Sequence, residues 1–529
     1  MIRMRQIKLP LGQEDFLKDV ICKMLHIEKG EVLDILIQRK SLDARKKENI
    51  HYVFEVDVSV RDEKRVLRKN ASRDIFLAPK EIYQFPEYGK MKMNGRPIIV
   101  GSGPAGLFCA YLLAEHGYRP IIIERGDKME KRMQDVLKFW ETGKLDLNSN
   151  VQFGEGGAGT FSDGKLNTMV KDKLFRGKKV FEIFVKHGAP KEIMYLQKPH
   201  IGTDLLRDVV VNIRNSILQL GGEFYYSSCL TDIFVEDGRI CAIEINGAKR
   251  ILCSVVVLAI GHSARDTFSM LYNRGVSMEA KPFAVGVRIQ HPQEMIQYSQ
   301  YKTLDKRLPV ADYKLTYTTE SGRGVYSFCM CPGGYVVNAS SEEGGIAVNG
   351  MSYHARDSKN ANSALVVNVN PDDFGHHPLD GTSFQRKLEE QAFLAGGGNI
   401  PVQLYQDFKN NISSSSFQKV LPVIKGRYQF SNLRDVLPDF VCSSLLEAMP
   451  VFGKKIQGFD RGDAIMAGVE SRTSSPVRIL RDDTGQSNIL GLYPCGEGSG
   501  YAGGITTAAM DGIRVSEWIA KQYAPFNSN

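Results

Sequence analysis

Gly101-Ser102-Gly103-Pro104-Ala105-Gly106 is the stretch that decides the fold of this chain. The apolar run Ile98–Val100 comes directly before it and predicts a buried strand, and residues 107–116 after it predict a helix that Gly117 ends. The apolar run Ile121–Ile123 then completes a strand–turn–helix–strand unit. In such a unit the first glycine permits the tight turn, the second lets backbone approach a pyrophosphate, and the third lets the helix pack on the strand.

An acidic residue stands where a dinucleotide site requires one. Glu124 ends the second strand, roughly 20 residues after the glycine turn, where an acid accepts hydrogen bonds from a ribose. An acid there favours an unphosphorylated ribose, as in FAD or NAD, and the helix N-terminus offers N–H groups to the phosphates. The residues of this unit that we predict to bind the cofactor are Gly101, Gly103, Pro104, Ala105, Gly106, Glu124 and Arg125.

The C-terminal part of the chain favours FAD over NAD. Here an apolar strand runs into a glycine turn that carries Glu497, and Gly503-Gly504-Ile505 opens a helix. In two-domain flavoproteins this arrangement holds the ribityl chain with the acid and aims a helix N-terminus at the flavin ring. Residues 257–262 resemble the apolar strand plus glycine that lies near the middle of FAD in such proteins. The further predicted cofactor-binding residues are Gly261, Gly496, Glu497, Gly503, Gly504 and Ile505.

A third glycine cluster lies at residues 153–166. So many glycines in one stretch suggest backbone close to a ligand, although a merely flexible loop has the same composition. Because apolar, Ser, Asp and Lys residues are interspersed, we interpret it as a flavin-side loop with Gly156, Gly157 and Gly159 at the cofactor. Lys165 in this loop would approach either the flavin N1 and O2 region or a carbonyl of the substrate.

These segments together resemble a family of largely uncharacterised bacterial FAD-dependent dehydrogenases. The matching stretches are residues 98–126, 151–168 and 470–517, with 283–292, 327–334 and 349–352 in the middle of the chain. The resemblance implies a glutathione-reductase-like FAD fold with a family-specific substrate domain. It implies no substrate, because fold alone does not give function.

The predicted fold class is α/β, with an inserted domain and a small N-terminal unit. We expect an N-terminal α+β domain at 1–90, a Rossmann-type FAD-binding domain at 96–270 and 456–529, and a mixed, β-rich substrate domain inserted at 271–455. Within the first domain, residues 39–47 are interpreted as a basic surface loop.

Composition excludes several classes of protein. The net charge of +8 is spread over 529 residues and interleaved with acids, so a nucleic-acid surface is not favoured. No apolar run approaches the roughly 18 residues of a membrane span. Nine cysteines without a C-x-x-C pair favour a reduced, cytoplasmic protein.

The sequence leaves the electron donor open. No second G-x-G-x-x-G follows a strand, so electrons would come from NAD(P)H docking transiently, from the substrate, or from a partner protein. Cys329 and Cys331 are interpreted as two buried apolar cysteines rather than a redox pair.

Three side chains are predicted to act in catalysis: Lys165, Arg472 and Arg478, the arginines as a clamp for a carboxylate or phosphate. The other candidates for substrate contact are Arg288, His291 and Glu470. A surface loop whose arginines pair with nearby aspartates would explain residues 470–478 equally well.

Three functions compete. The first is an FAD-dependent oxidoreductase that transfers hydride between flavin N5 and a small metabolite, anionic if the arginines contact it. The second is a tRNA-modifying flavoprotein, and the third is a non-catalytic flavin-binding scaffold with the N-terminal unit as its interaction module. The first is favoured, because the C-terminal helix and glycine loop are arranged to tune a reactive ring.

Overall fold

The N-terminal unit is a four-stranded antiparallel sheet with two helices on one face. The computed structural model describes residues 1–168 and 170–526. The elements of this unit are β1 (Ile2–Pro10), α1 (Leu17–Leu25), β2 (Val32–Asp43), β3 (His51–Val60), α2 (Glu63–Asn70) and β4 (Ile75–Leu77). The strand order β2-β3-β1-β4 is that of a ferredoxin-like βαββαβ unit. The basic segment 39–47 is not a loop throughout, because β2 continues to Asp43 and pairs with β3 over this length.

The FAD-type domain is built on a five-stranded parallel sheet. Its elements up to the insertion are β5 (Ile98–Val100), α3 (Pro104–Glu115), β6 (Ile121–Ile123), α4 (Met129–Thr142), α5 (Arg176–Lys186), α6 (Thr203–Gln219), β7 (Glu223–Tyr225), β8 (Leu230–Glu236), β9 (Arg239–Ile245), β10 (Lys249–Leu252), β11 (Val256–Leu258), α7 (Arg265–Asn273) and β12 (Met278–Ala280). After the insertion it resumes with β23 (Val477–Ile479), β24 (Leu492–Pro494) and α13 (Ile505–Gln522). The strand order is β24-β11-β5-β6-β7, so β11 lies between the two strands that lead into the predicted glycine turns. The predicted hairpin turn at Asp237-Gly238 joins β8 to β9.

The inserted domain is a seven-stranded mixed sheet covered by helices. Its elements are β13 (Phe283–Pro292), α8 (Gln293–Tyr301), β14 (Thr316–Thr318), β15 (Gly324–Cys331), β16 (Tyr335–Asn338), β17 (Val348–Met351), β18 (Asn360–Val369), α9 (Pro371–Phe374), α10 (Asp380–Ala395), β19 (Ile400–Leu404), α11 (Tyr405–Asn410), β20 (Ile424–Lys425), β21 (Tyr428–Phe430), α12 (Asp439–Lys455) and β22 (Ile465–Glu470). The large sheet has the order β14-β15-β18-β13-β22-β19-β21.

The predicted boundaries of the insertion, residues 271 and 455, are both wrong, because β12 still pairs with β23 of the FAD-type domain. Strand β22 pairs with β13 and β19, so the chain returns to the FAD-type domain only after Glu470. All residues of β22 are buried, and such an apolar run is typical of a central strand in either sheet. The sequence therefore could not indicate to which of the two sheets β22 belongs.

No helix among the described residues is long and apolar enough to cross a membrane.

Candidate functional site

The glycine turn after β5 has two positions that tolerate no side chain. Gly101 has φ +100°, and a Cβ there would lie 2.3 Å from the carbonyl oxygen of Ala259 on the neighbouring strand segment. A Cβ at Gly106 would lie 1.9 Å from the Gly101 carbonyl oxygen, so this residue lets α3 pack on the turn, as predicted. Gly103 differs, because its Cβ would meet only the Gly157 Cα, at 3.8 Å.

One cavity lies at the carboxyl ends of β5, β6 and β11 and extends to the inserted domain. The predicted cofactor-binding residues that line it are Gly101, Gly103, Pro104, Ala105, Glu124, Arg125, Gly157, Gly159, Gly261, Glu497, Gly503, Gly504 and Ile505. Lys165 and Arg472 also line it. The structure therefore brings distant parts of the sequence together at one site.

Gly156 and Gly496 lie behind this lining. A Cβ at Gly156 would lie 2.3 Å from Thr160 Oγ1, and one at Gly496 would lie 2.6 Å from the Ala105 Cβ. The Gly496 N–H donates to the buried Asp511 carboxylate at 2.8 Å. Like Gly106, both glycines shape the wall of the site and do not face its cavity.

Arg478 is outside the cavity lining, so the structure does not support its predicted role as a substrate clamp. It lies on β23, where its Nη1 is 3.3 Å from Glu279 and both side chains are partly exposed. Residues 477–479 form a strand that pairs with β12, which turns this arginine away from the site.

The carboxylate of Glu124 already accepts hydrogen bonds from other groups of the protein. Its carboxylate accepts hydrogen bonds from the Ser102 N–H (2.9 Å), the Ser102 hydroxyl (2.7 Å), the Gly126 N–H (2.9 Å) and the Gly154 N–H (3.0 Å). A carboxylate offers about four acceptor positions, and here each receives a protein donor. Glu124 thus ties the first glycine turn to the third glycine cluster, and its contact with a ribose stays a prediction.

Arg132, which the sequence did not single out, holds the third glycine cluster in place. This fully buried side chain donates to the carbonyl oxygens of Asn150, Val151, Glu155 and Gly157 at 2.6–3.0 Å. Burial lowers its pKa to about 10. Its position on an amphipathic helix gave no signal, because the four acceptors are backbone atoms of a segment beyond the helix.

Arg472 reaches the cavity wall, but most of its donors are used within the protein. Its guanidinium makes two hydrogen bonds to Glu389, at 2.9 and 2.7 Å, and donates to Ser263 and Ser341. Arg265 binds the same carboxylate at 2.8 and 3.0 Å. Burial opposes ionisation of Glu389, but the two arginine charges outweigh it and hold the pKa of that carboxyl below its usual range. The role of Arg472 as a substrate clamp therefore stays a prediction, and a substrate would have to compete with Glu389, Ser263 and Ser341 for its N–H groups.

Arg288 and Glu470 form a buried ion pair beside the cavity. Arg288 is fully buried, and its Nε donates to Glu470 at 2.8 Å. Glu470 lines the cavity, whereas Arg288 stands behind it. His291 is buried against Phe459, where its Nε2 lies 2.7 Å from the Phe459 carbonyl oxygen, and it does not line the cavity.

The interpretation of Cys329 and Cys331 as two buried cysteines is wrong for Cys329. Cys331 is buried, but Cys329 is exposed and lines the cavity. The register of β15 with β18 shifts between Phe328 and Cys331, and Cys329 has φ +42°. This bulge turns the two thiols in different directions, and no local residue pattern predicts it.

The structure fits FAD at this cavity. A Cβ at Gly261, Gly503 or Gly504 would meet no protein atom within 4 Å, so the missing side chains leave space in the cavity itself. Helices α3 and α13 begin there without a side-chain cap and without an acidic residue in the first turn, which leaves their N–H groups for an anion.

Glu497 offers an open carboxylate to this space. Within residues 1–168 and 170–526 no donor hydrogen-bonds it, and His262 Nε2 is 4.0 Å away. Burial raises the pKa of Glu497 from 4.5 to about 7.

Without bound cofactor, the protein is therefore expected to lose stability from Glu497 as pH rises. A raised pKa in the folded state means that its contribution is fully present below pH 4.5 and is lost as pH rises through about 7. The loss is at most about 3 kcal/mol. We expect Glu497→Gln to remove it, measured as the difference in unfolding free energy between the two proteins from pH 4.5 to 8. A difference that does not change with pH would contradict this assignment.

Comparison with known proteins agrees with the site. The family description "FAD-dependent protein, C-terminal domain-like" matches residues 282–473, "NAD(P)-binding Rossmann-like domain" matches 99–129, and a domain of unknown function matches 1–59. An uncharacterised protein of Clostridium beijerinckii is 50% identical over 530 residues, covering 99% of each chain.

Two solved structures illustrate the more distant similarity. Glycine oxidase from Bacillus cereus is 11% identical with a TM-score of 0.34, covering 80% of this chain and 95% of that one. L-Proline dehydrogenase from P. horikoshii is 13% identical with a TM-score of 0.35, covering 81% and 94%. The family matches and the close relative decide the assignment: the chain belongs to a family of uncharacterised FAD-dependent proteins, and FAD is its cofactor.

Proposed function

We propose that this protein is an oxidoreductase that transfers hydride between the flavin N5 and a small, anionic metabolite. The observation that carries the proposal is the shared cavity: the glycine turns of the FAD-type domain and a wall of the inserted domain line the same space. A substrate held by the inserted domain would then lie against the cofactor.

The chain's own residues prepare this site for redox chemistry. FAD, when bound, supplies the two-electron chemistry. The N-terminus of α13 presents free N–H groups and the positive end of its dipole, which stabilise negative charge. Lys165 adds a positive charge at the wall of the cavity. The buried networks around Glu389 and Glu470 fix the inserted domain against the cavity, which excludes water and orients the substrate.

Among the described residues, only one βαβ unit carries a dinucleotide turn, so the proposed route for electrons is NAD(P)H docking transiently at the flavin. A partner protein is the alternative donor.

We expect the purified protein to show a flavin absorption band that NADH or NADPH bleaches under anaerobic conditions. Bleaching by one of the two would support a nicotinamide-linked reductase. If neither NADH nor NADPH bleaches the band but a small carboxylic acid bleaches it, the result would support a substrate-driven dehydrogenase. A flavin that stays oxidised with every donor would contradict the proposed oxidoreductase and favour a scaffold.

A further inference from the structure

The wall of the cavity that the inserted domain contributes carries an amide of fixed orientation. Asn349 on β17 lines the cavity, and its Oδ1 accepts hydrogen bonds from Arg288 Nη2 (2.8 Å) and from the Gly350 N–H (2.8 Å). A guanidinium has donors and no acceptor, so the amide oxygen must face Arg288 and the Nδ2 must point away from it. Within the part of the chain that the structure describes, this Nδ2 donates to no protein atom.

Several other contacts hold the Arg288 guanidinium in place, so its hydrogen bond to Asn349 is fixed. Besides Glu470 it binds the Cys329 carbonyl oxygen at 2.8 Å and Asn362 Oδ1 at 3.0 Å. A Cβ at Gly350 would lie 2.3 Å from Arg288 Nη1, so β17 passes directly over the guanidinium. Because the Asn349 Nδ2 donor is already held in one orientation, it loses little conformational entropy when it binds a ligand.

Lys165 supplies a second donor at the same bulge of β15. Its ammonium contacts the Met330 carbonyl oxygen, the residue next to Cys329, and lies 3.8 Å from Asp163. An ammonium carries three N–H groups, so at least one remains for a ligand. Asn349 and Lys165 are thus linked through two adjacent carbonyl groups. Arg288 binds both Asn349 and the Cys329 carbonyl oxygen, and Lys165 binds the Met330 carbonyl oxygen directly.

The charges of this wall favour a negative ligand. Asp163 is paired with Arg356 at 2.9 Å, and Glu470 is paired with Arg288. Among these five charged side chains, Lys165 is therefore the one without an acid of its own, because Asp163 at 3.8 Å already pairs with Arg356. Two donors and one net positive charge suit a carboxylate, which accepts two hydrogen bonds side by side.

We propose that Asn349 Nδ2 and Lys165 Nζ bind the carboxylate of the substrate, which makes the substrate a small carboxylic acid. This inference rests on the proposed function, because it takes the cavity beside the flavin as the substrate site. Asn349 is a substrate-binding residue in this arrangement, and Arg288 positions it.

The test is titration of the FAD-loaded protein with propionate, pyruvate and benzoate, and with propionamide and benzamide, followed by the flavin absorption spectrum. We expect saturable binding of at least one carboxylate, at least tenfold tighter than its amide. Asn349→Asp keeps the acceptor for Arg288 but presents an oxygen to the ligand, so it should weaken carboxylate binding at least 30-fold. Asn349→Ala should weaken it about tenfold, and Lys165→Met should remove the preference for carboxylate over amide.

Asn368→Asp and Lys359→Met are the matched controls, because both side chains are exposed on the inserted domain. They should bind the carboxylate like the unaltered protein. Equal affinity for carboxylates and amides, no saturable binding of any carboxylate, or unchanged binding by Asn349→Asp and Asn349→Ala would overturn the proposal. Loss of FAD affinity in these two variants without loss of carboxylate affinity would overturn it too, because the donors would then hold the cofactor. A flavin that no donor reduces while carboxylate binding behaves as expected would contradict the proposed oxidoreductase alone.

Discussion

Gly103→Val is expected to yield a folded protein that no longer retains FAD, with the affinity for FAD lowered at least about 100-fold. Gly103 is the cap of α3, with φ −72° and ψ −178°, an extended conformation that valine adopts without strain. Its Cβ would meet one protein atom, the Gly157 Cα at 3.8 Å, so the added side chain occupies cavity space at the helix N-terminus. Valine at a helix cap costs about 1 kcal/mol, which is small against the blocked phosphate site.

The measurement is the flavin content of the purified variant and its binding isotherm with added FAD. Gly30→Val is the matched control, because its Cβ would meet nothing within 4 Å and it lies in the N-terminal unit. Retention of FAD by Gly103→Val at normal affinity would show that the pyrophosphate does not approach this turn.

Glu470→Ala is expected to destabilise the protein by about 3–5 kcal/mol, because it leaves the charge of Arg288 buried without its acid. Both side chains of the pair are at most 3% exposed. The double replacement Arg288→Met/Glu470→Met removes both charges and fills the space with apolar atoms. It is expected to recover most of the loss, since a buried ion pair replaced by apolar residues of similar size is often neutral.

Urea denaturation monitored by circular dichroism gives the comparison. Glu279→Ala is the control, since it breaks the ion pair with Arg478, whose side chains are 40% and 50% exposed. A pair so exposed to solvent contributes under about 1 kcal/mol. If Glu470→Ala cost no more than Glu279→Ala, the Arg288–Glu470 pair would not hold the wall of the site, and Asn349 would lose its fixed support.

The third glycine cluster is organised by two residues with opposite chemistry. Glu124 accepts N–H groups from the first glycine turn and from Gly154, and Arg132 donates to four carbonyls of residues 150–157. Glycine-rich backbone is costly to order on its own. These contacts order it before any ligand arrives, which is what a cofactor site requires.

The FAD-type domain followed from the sequence because its determinants are local. A buried strand, a glycine turn and a helix occupy consecutive residues, and the predicted strands Ile98–Val100 and Ile121–Ile123 have the predicted bounds. The acid-bearing turn before α13 could be interpreted in the same way. For these segments, steric demands on single glycines and the period of apolar residues act within about 25 residues.

Only the tertiary structure decided which polar side chains face the cavity. Arg472 and Arg478 looked alike in the sequence, yet Arg472 lines the site, whereas the partly exposed side chain of Arg478 pairs with Glu279 outside it. Asn349 lies in the stretch 349–352 that carries the family resemblance, but the sequence gave it no role, because that role depends on Arg288, which contacts it from a strand some 60 residues earlier in the chain. Such pairings depend on sheet register and on a bulge, and neither is encoded in any short stretch of sequence. The cofactor could therefore be predicted from local patterns, whereas the substrate wall required long-range contacts between strands.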